Sequence, residues 1–328
     1  MTETFSWLAD YSGDVPRCLL CPHLCRIREG ADGICGVRTN HNGKIHSLIY
    51  GKVSAVAMDP VEKKPLYHFH PGEQILSLGS IGCNFKCPFC QNYHISQKPF
   101  PPTEELSIAD LVREAKRSAR MVAFTYAEPL VWYEYVYDAA QALRQEGIDT
   151  VLVTNGFIDE APLMKLLPYI SAMNIDIKGD DAFYKQSAKG VADDVRRTIR
   201  LSAPVCHVEL TTLLVPGLND RDDVIDGIGS FIASVNRNIP WHISAYRPAY
   251  RYTALPMPEE RLIGFVRRAR ERVQYVYTGN ILSDECNTCC PQCGHILIER
   301  QGYLTTVTGF DGIKCRHCGL ELKGDFVL

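Results

Sequence analysis

From Glu73 onward, short apolar runs alternate with amphipathic stretches, and this alternation limits the fold more than any other feature of the chain. Residues 74–79, 120–126, 150–154, 173–177, 205–214 and 241–246 read as strands. Residues 107–119, 130–146, 159–167, 181–189, 193–202 and 221–236 carry helical spacing, with Leu111, Val112 and Ala115 on one face of the first. Helical connections favour parallel pairing, which leaves a doubly wound sheet or a full or partial (β/α) barrel. Polar residues sit at the ends of the successive strands: a cysteine loop, Glu128, Asn155-Gly156, Asp176 and Lys178, Thr211-Thr212, then His242 and Ser244. A doubly wound sheet gathers its chemistry at one crevice, whereas a barrel draws on the end of every strand. The expected fold is therefore α/β, a partial (β/α)6 TIM-like barrel.

The first strand runs into Ser80-Ile81-Gly82-Cys83-Asn84-Phe85-Lys86-Cys87-Pro88-Phe89-Cys90, whose cysteines have the spacing C-x3-C-x2-C. Three thiolates so close together can hold three corners of a [4Fe-4S] cluster. No fourth cysteine follows at a comparable interval, so one iron is left open to a ligand that is not protein. A closed zinc site calls for four ligands and usually paired C-x2-C spacing.

Cysteine-rich segments flank the barrel. Cys18, Cys21, Cys25 and Cys35 lie on a turn-rich stretch with spacing C-x2-C-x3-C-x9-C, which suits either structural Zn(II) or a second [4Fe-4S] cluster. Alternation over 44–58 suggests a short hairpin covering one end of the barrel. After a helix at 258–272 and a short strand at 274–278, Cys290-x2-Cys293 and Cys315-x2-Cys318 form two knuckles. That is the spacing of a zinc ribbon with a hairpin at 296–307, and the quartet takes Zn(II) or a cluster. Cys286 and Cys289 add another C-x2-C, as extra ligands or free thiols, while Cys206 reads as a small buried hydrophobe. The expected domains are a Cys-rich segment at 1–72, the barrel at 73–283 and a zinc-ribbon-like module at 284–328.

Thirty-five basic against 38 acidic residues give a net charge of -3, so nothing favours a polyanionic partner. The arginines at 267, 268, 270 and 272 read as the solvated face of an amphipathic helix. No signal-like N-terminus and no long apolar run is present, and fourteen cysteines in close sets point to ligands in a reducing compartment. A cytoplasmic, oxygen-sensitive protein with no membrane contact is expected.

The C-x3-C-x2-C loop, with the aromatic Phe89 before its last cysteine, resembles the signature of the radical S-adenosylmethionine (SAM) superfamily. The resemblance implies that the open iron binds SAM and that reductive cleavage yields a 5'-deoxyadenosyl radical, with a donor such as flavodoxin or ferredoxin. Cys83, Cys87 and Cys90 would then be catalytic. Within the superfamily the chain resembles the pyruvate formate-lyase activating enzymes. Cys90-Gln91-Asn92 is similar to their Cys-His-Asn, so Asn92 is a candidate SAM contact. Thr125-Tyr126-Ala127-Glu128-Pro129 stands where Gly-Gly-Glu-Pro is common, with the glycines replaced and Glu128 kept for the SAM amine. Thr154-Asn155-Gly156 matches Thr-Asn-Gly, with Val153 in place of a frequent Asp. Asp176-Ile177-Lys178 resembles Asp-Leu-Lys near the ribose and carboxylate, and His242 stands where a histidine approaches SAM. A zwitterionic sulfonium needs a carboxylate, a cation and an aromatic surface, and Glu128, Lys178 and Phe89 supply one of each. Asp176 and Lys178 also suit a structural ion pair.

Over its whole length the chain resembles the AmmeMemoRadiSam system radical SAM enzymes, through Val61-Glu62-Lys63-Lys64-Pro65-Leu66-Tyr67-His68-Phe69, Trp241-His242-Ile243-Ser244, Tyr277-Thr278-Gly279-Asn280 and the terminal cysteines. This implies MEMO-like and AMME-syndrome-protein-like partners and leaves the substrate, protein or small molecule, undefined. Two other functions compete: a glycyl-radical-enzyme activase acting on a partner protein, and a zinc or iron-sulfur protein that binds partners or nucleic acid. The modest charge of the tail disfavours nucleic acid.

Overall fold

The computed structural model describes residues 4–322 and 324–328; the first three residues of the expected N-terminal segment and Lys323 of the terminal module lie outside it. Eight strands form the main sheet: β1 (Ala55–Pro60), β2 (Gln74–Gly79), β3 (Met121–Phe124), β4 (Asp149–Thr154), β5 (Ala172–Asp176), β6 (His207–Leu214), β7 (Trp241–Ala245) and β8 (Val276–Gly279). Their spatial order is their sequence order, and every pair is parallel except β1 with β2. A strand order that never reverses is that of a singly wound, barrel-like sheet rather than a doubly wound one. The six expected parallel strands are thus seven, because α6 (Glu259–Ala269) makes one more crossover and sets β8 beside β7.

The connecting helices are α1 (Ile108–Ser118), α2 (Tyr133–Gln145), α3 (Glu160–Leu166), α4 (Ala192–Ser202) and α5 (Asp222–Asn236). Ser107 caps α1 by accepting from the Asp110 N–H, which fixes its start. Residues 181–189, read as one helix, instead form a single turn at Asp181–Phe183 and a wider turn at Tyr184–Ala188 that stops at Lys189 with φ +63°.

The expected hairpin over 44–58 is corrected. Its arms are Arg38–His41 and Lys44–Ser47, joined by Asn42-Gly43 with φ values of +52° and +70°, the left-handed pair that a two-residue hairpin turn requires. Residues 55–60 pair with β2 at the edge of the main sheet.

Strand periodicity separates two faces. Outward residues such as Leu76, Phe124, Leu152, Ile175 and Leu210 join the large core shared with the helices. Inward residues Ile75, Met121, Ala123, Val151 and Ala172 pack on Val61, Leu66 and Phe69. The segment between β1 and β2 therefore plugs the N-terminal half of the sheet's inner face. Two residues beyond Ile75, Ala123 and Ala172, the inner face turns polar with Ser77, Thr125 and Asn174.

Candidate active site

Above the plug, the C-terminal strand ends enclose a cavity of about 630 Å³. Its wall includes Cys83, Cys87, Cys90, Phe89, Asn92, Glu128, Asn155, Asp176 and Lys178. The inward-facing Thr125, Val153, Asp176, Thr211 and Ser244 place five successive strands around it. Of the cofactor contacts expected from the sequence, His242 is not on this wall.

The cysteine loop is held close against the N-terminal segment. Gly82 has φ +91°, and a Cβ there would stand 2.5 Å from Val37 Cγ1, so glycine is required for both conformation and space. Beyond it, the Phe85 N–H donates to Cys83 Sγ at 3.3 Å, and Cys90 Sγ lies 3.2 Å from Ser96 Oγ. Burial pushes the Cys83 thiol well above its ordinary range and the Cys87 thiol up to about 11, the latter against the pull of Lys178. Thiols become thiolates when a cationic centre binds them, so three on one wall suit a metal-cluster donor set.

Glu128 opens the turn Pro129–Trp132 just past β3. Its carboxylate accepts from Leu130 N–H at 3.0 Å, Thr154 O–H at 2.5 Å and Asn155 N–H at 2.8 Å, tying the end of β3 to that of β4. Burial raises its pKa to about 7 despite these donors. Asn155 in turn donates from Nδ2 to Asn84 Oδ1 at 2.9 Å and lies 3.7 Å from Cys83 Sγ. Asp176 and Lys178 form an ion pair at 2.7 Å within the cavity. Burial works against the Lys178 charge, but Asp176 and the Cys87 sulfur outweigh it and hold the ammonium above its usual range. Phe89 is buried against Phe183, with ring centroids 5.7 Å apart.

Asn92 donates from Nδ2 to the Tyr126 carbonyl at 2.8 Å. Tyr126 has a left-handed φ of +68°. That conformation costs a side chain about 1–2 kcal/mol. The ring is anchored by its O–H, which donates to Asp59 Oδ2 at 2.5 Å, and by the Lys64 ammonium 4.5 Å from its centroid.

Asp59, Lys63 and Lys64 belong to no recognised cofactor motif, yet both lysines line the cavity. Lys64 is 1% exposed and donates to Asp59 Oδ2 at 2.7 Å. Two adjacent lysines inside a buried plug are the sequence signal that could have marked them. Thr211 Oγ1, also on the wall, is buried without a hydrogen-bond partner among the described residues.

His242 lies one layer deeper, two residues before Ser244 on the same strand face. Its Nε2 is 2.7 Å from Glu209 Oε2 and its ring packs edge-on to Tyr67. Glu209 also accepts from the Tyr67 and His68 N–H groups and meets His207 Nε2 at 3.0 Å. Burial opposes its charge, but these histidines hold its carboxyl well below the usual range. The imidazole of His242 is thus committed to seating the plug.

Outside the barrel, Cys290, Cys293, Cys315 and Cys318 bring four sulfurs within 4.8 Å of one another, a set able to bind a metal ion. Cys286 and Cys289 stand apart: the Cys286 thiol donates to the Ser283 carbonyl at 2.9 Å, and Cys289 is exposed. Cys206 is partly buried, its thiol 3.6 Å from the Ser202 carbonyl.

The Radical SAM superfamily profile matches residues 78–226, from the end of β2 into α5. An uncharacterized protein of Methanocaldococcus jannaschii is 40% identical over 324 residues, covering 95% of this chain and 96% of its own. The pyruvate formate-lyase 1-activating enzyme of Escherichia coli K12 is 24% identical over 55% of this chain and 76% of its own. In fold, the chain is similar to Streptococcus suis SuiB bound to S-adenosylmethionine, with TM-score 0.50, 16% identity, and coverage of 67% of this chain and 53% of that one. With the profile beginning at the cysteine loop and the full-length likeness to the archaeal protein, the chain belongs to the radical SAM superfamily and is an enzyme of it.

Proposed function

We propose that this radical SAM enzyme abstracts a hydrogen atom from a partner polypeptide presented at the mouth of the 630 Å³ cavity. Membership implies a [4Fe-4S] cluster and SAM, and the residues suit both. Three thiols on one wall supply the cluster's donors, while the unpartnered Thr211 Oγ1, the Glu128 carboxylate and the Lys178 ammonium offer polar contacts for a zwitterion. When bound, these groups supply one-electron cleavage of the sulfonium and with it the capacity to remove a hydrogen atom. The chain's own part is placement: Glu128 holds the ends of β3 and β4 together, Asn92 and Tyr126 fix the approach, and Phe89 offers an apolar wall.

The observation that carries this reading is the convergence of the three cysteines with inward groups from five strands on one cavity. A protein substrate is favoured because the Escherichia coli relative is by name an enzyme that activates another enzyme. MEMO-like and AMME-syndrome-protein-like partners rest on sequence resemblance. For the C-terminal quartet a zinc ribbon is proposed, supported by its compact sulfur set and the hairpin Ile296–Gln301 with Leu304–Val307.

The test is anaerobic reconstitution with iron and sulfide, reduction, and addition of SAM, followed by electron paramagnetic resonance and assay of 5'-deoxyadenosine. A spectrum that changes with SAM and release of the nucleoside are expected. A spectrum indifferent to SAM with no nucleoside released overturns the proposal.

No helix among the described residues is long and apolar enough to cross a membrane.

A further inference from the structure

We infer that Cys18, Cys21, Cys25 and Cys35 hold a second [4Fe-4S] cluster, ligated by protein at all four corners, directly behind the loop that carries Cys83. The four residues line one small cavity whose wall includes Leu20, Ile27 and Val131. Four thiols around an apolar hole call for a metal centre; the spacing of the sulfurs decides which.

The chain contains its own standard for a single ion. A tetrahedral zinc site with Zn–S of about 2.3 Å has sulfurs ~3.8 Å apart along every edge. Cys290 Sγ to Cys318 Sγ at 3.6 Å and Cys293 Sγ to Cys315 Sγ at 3.8 Å match that edge. In the N-terminal quartet, by contrast, no three ligand atoms lie within 4.8 Å of one another. Four sulfurs facing one cavity but set wider apart than one ion allows fit a cubane, whose thiolates bind separate irons at its corners.

A second observation supports this assignment. Arg38 is 1% exposed and lines the same cavity; its terminal nitrogens are taken by Ser6 and Glu134, but its Nε–H has no acceptor among the described residues. A cluster carries inorganic sulfides that accept such a donor, and its net negative charge suits a buried guanidinium.

Position gives the site a role. The Asn84 Oδ1 accepts from Asn155 Nδ2 at 2.9 Å, and the same Nδ2 lies 3.7 Å from Cys83 Sγ. His23, between Cys21 and Cys25, meets the Asn84 carbonyl at 2.8 Å. One asparagine, adjacent in sequence to Cys83, therefore spans the two cysteine sets. A cluster without an open corner exchanges electrons rather than binding substrate. One electron from a ferredoxin- or flavodoxin-type donor reduces it and passes to the neighbouring cluster, with no bond made and no proton moved. The relay role, unlike the site itself, rests on the radical SAM reading of the Cys83 loop.

The test uses the full chain with Cys83, Cys87 and Cys90 all changed to Ala, reconstituted anaerobically with iron and sulfide. The expected content is about four iron and about one zinc per chain, with a reduced spectrum that ignores SAM. About two zinc and no iron, or no iron in a chain that keeps its C-terminal zinc, overturns the inference. Should that variant not fold, Cys21→Ala together with Cys35→Ala, which leaves only two thiols at the site, in the otherwise intact chain is the second arm. Iron falling from about eight to about four with the SAM-responsive signal retained is expected, and iron unchanged overturns it. Reduction of the Cys83 cluster by a flavodoxin-type donor should slow by about tenfold or more when the N-terminal site is disabled, while a small chemical reductant still reduces it; an unchanged donor rate overturns the relay. Iron in the triple variant bears on this site alone, and the SAM response of the intact chain bears on the radical reading, so the two fail separately.

Discussion

Gly82→Ala is expected to destabilise the junction between the cysteine loop and the N-terminal segment by ~2–5 kcal/mol. Two costs add. Gly82 sits at φ +91°, where a side chain costs about 1–2 kcal/mol. The new Cβ would lie 2.5 Å and 3.1 Å from the two Val37 methyls and 3.0 Å from the Cys35 carbonyl oxygen. Carbon atoms prefer about 3.5–4.0 Å, so loop and segment must part by roughly 1 Å, an overpacking cost of ~1–3 kcal/mol. Val37 is 1% exposed, and Val37→Ala alone should cost ~2 kcal/mol through the cavity it leaves. In the Gly82→Ala background, however, the same change removes both methyl clashes. The double variant should therefore lose ~1–3 kcal/mol less than the sum of the singles, without full recovery, since the backbone conformation and the carbonyl contact persist. Anaerobic urea unfolding of the four proteins, followed by circular dichroism, measures the cycle. Additivity within about 0.5 kcal/mol, or Gly82→Ala as stable as the parent, would refute the packing argument.

Burial holds His68 at a pKa of about 3 between the Asp325 carbonyl and Tyr277 O–H. An unfolded histidine titrates near 6.5, so stability is complete above that pH and falls as pH drops towards 3, by ~2 kcal/mol between pH 7 and 5. His68→Leu should flatten this slope in denaturation at the two pH values; an unchanged slope would remove His68 as its source. His242→Ala breaks the buried contact with Glu209 and should cost ~3–5 kcal/mol of stability while changing SAM affinity by less than about twofold. Weaker SAM binding at an unchanged melting temperature would instead make His242 a direct contact. Lys178→Met should weaken SAM binding about tenfold to a hundredfold by calorimetry on the reconstituted protein, from loss of a charge-assisted contact. An unaltered affinity would make the Asp176 pair purely structural.

Much of the fold was legible because strands and helices print their periods on the sequence, and strand ends are where periodic apolar runs give way to polar residues. Thus β2 to β7 lie close to their expected positions, and Glu128, Asn155, Asp176 and Lys178 could be placed at one mouth. The Asn42-Gly43 turn was equally local, yet the alternation on both sides of residues 48–54 masked where the hairpin ends. The adjacent lysines at 63 and 64 were a local signal, but the pairing of Lys64 with Asp59 beneath Tyr126 was not, since Asp59 meets Tyr126 across 67 positions through the way β1 returns to the sheet.

The sequence by itself determined the order of the βα units, the spacing of the three cysteine sets and the chemistry of each strand end, all of which follow from periodicity and covalent neighbourhood. Only the tertiary structure decided depth and distance. His242 and Ser244 share a strand face, but the plug at 61–69 fills the layer of the first and leaves the second on the cavity wall. Likewise, two four-cysteine sets differ in how far apart their sulfurs come to rest. Loop spacing fixes how many ligands a segment carries; the packing of remote residues against those loops sets the separations between them.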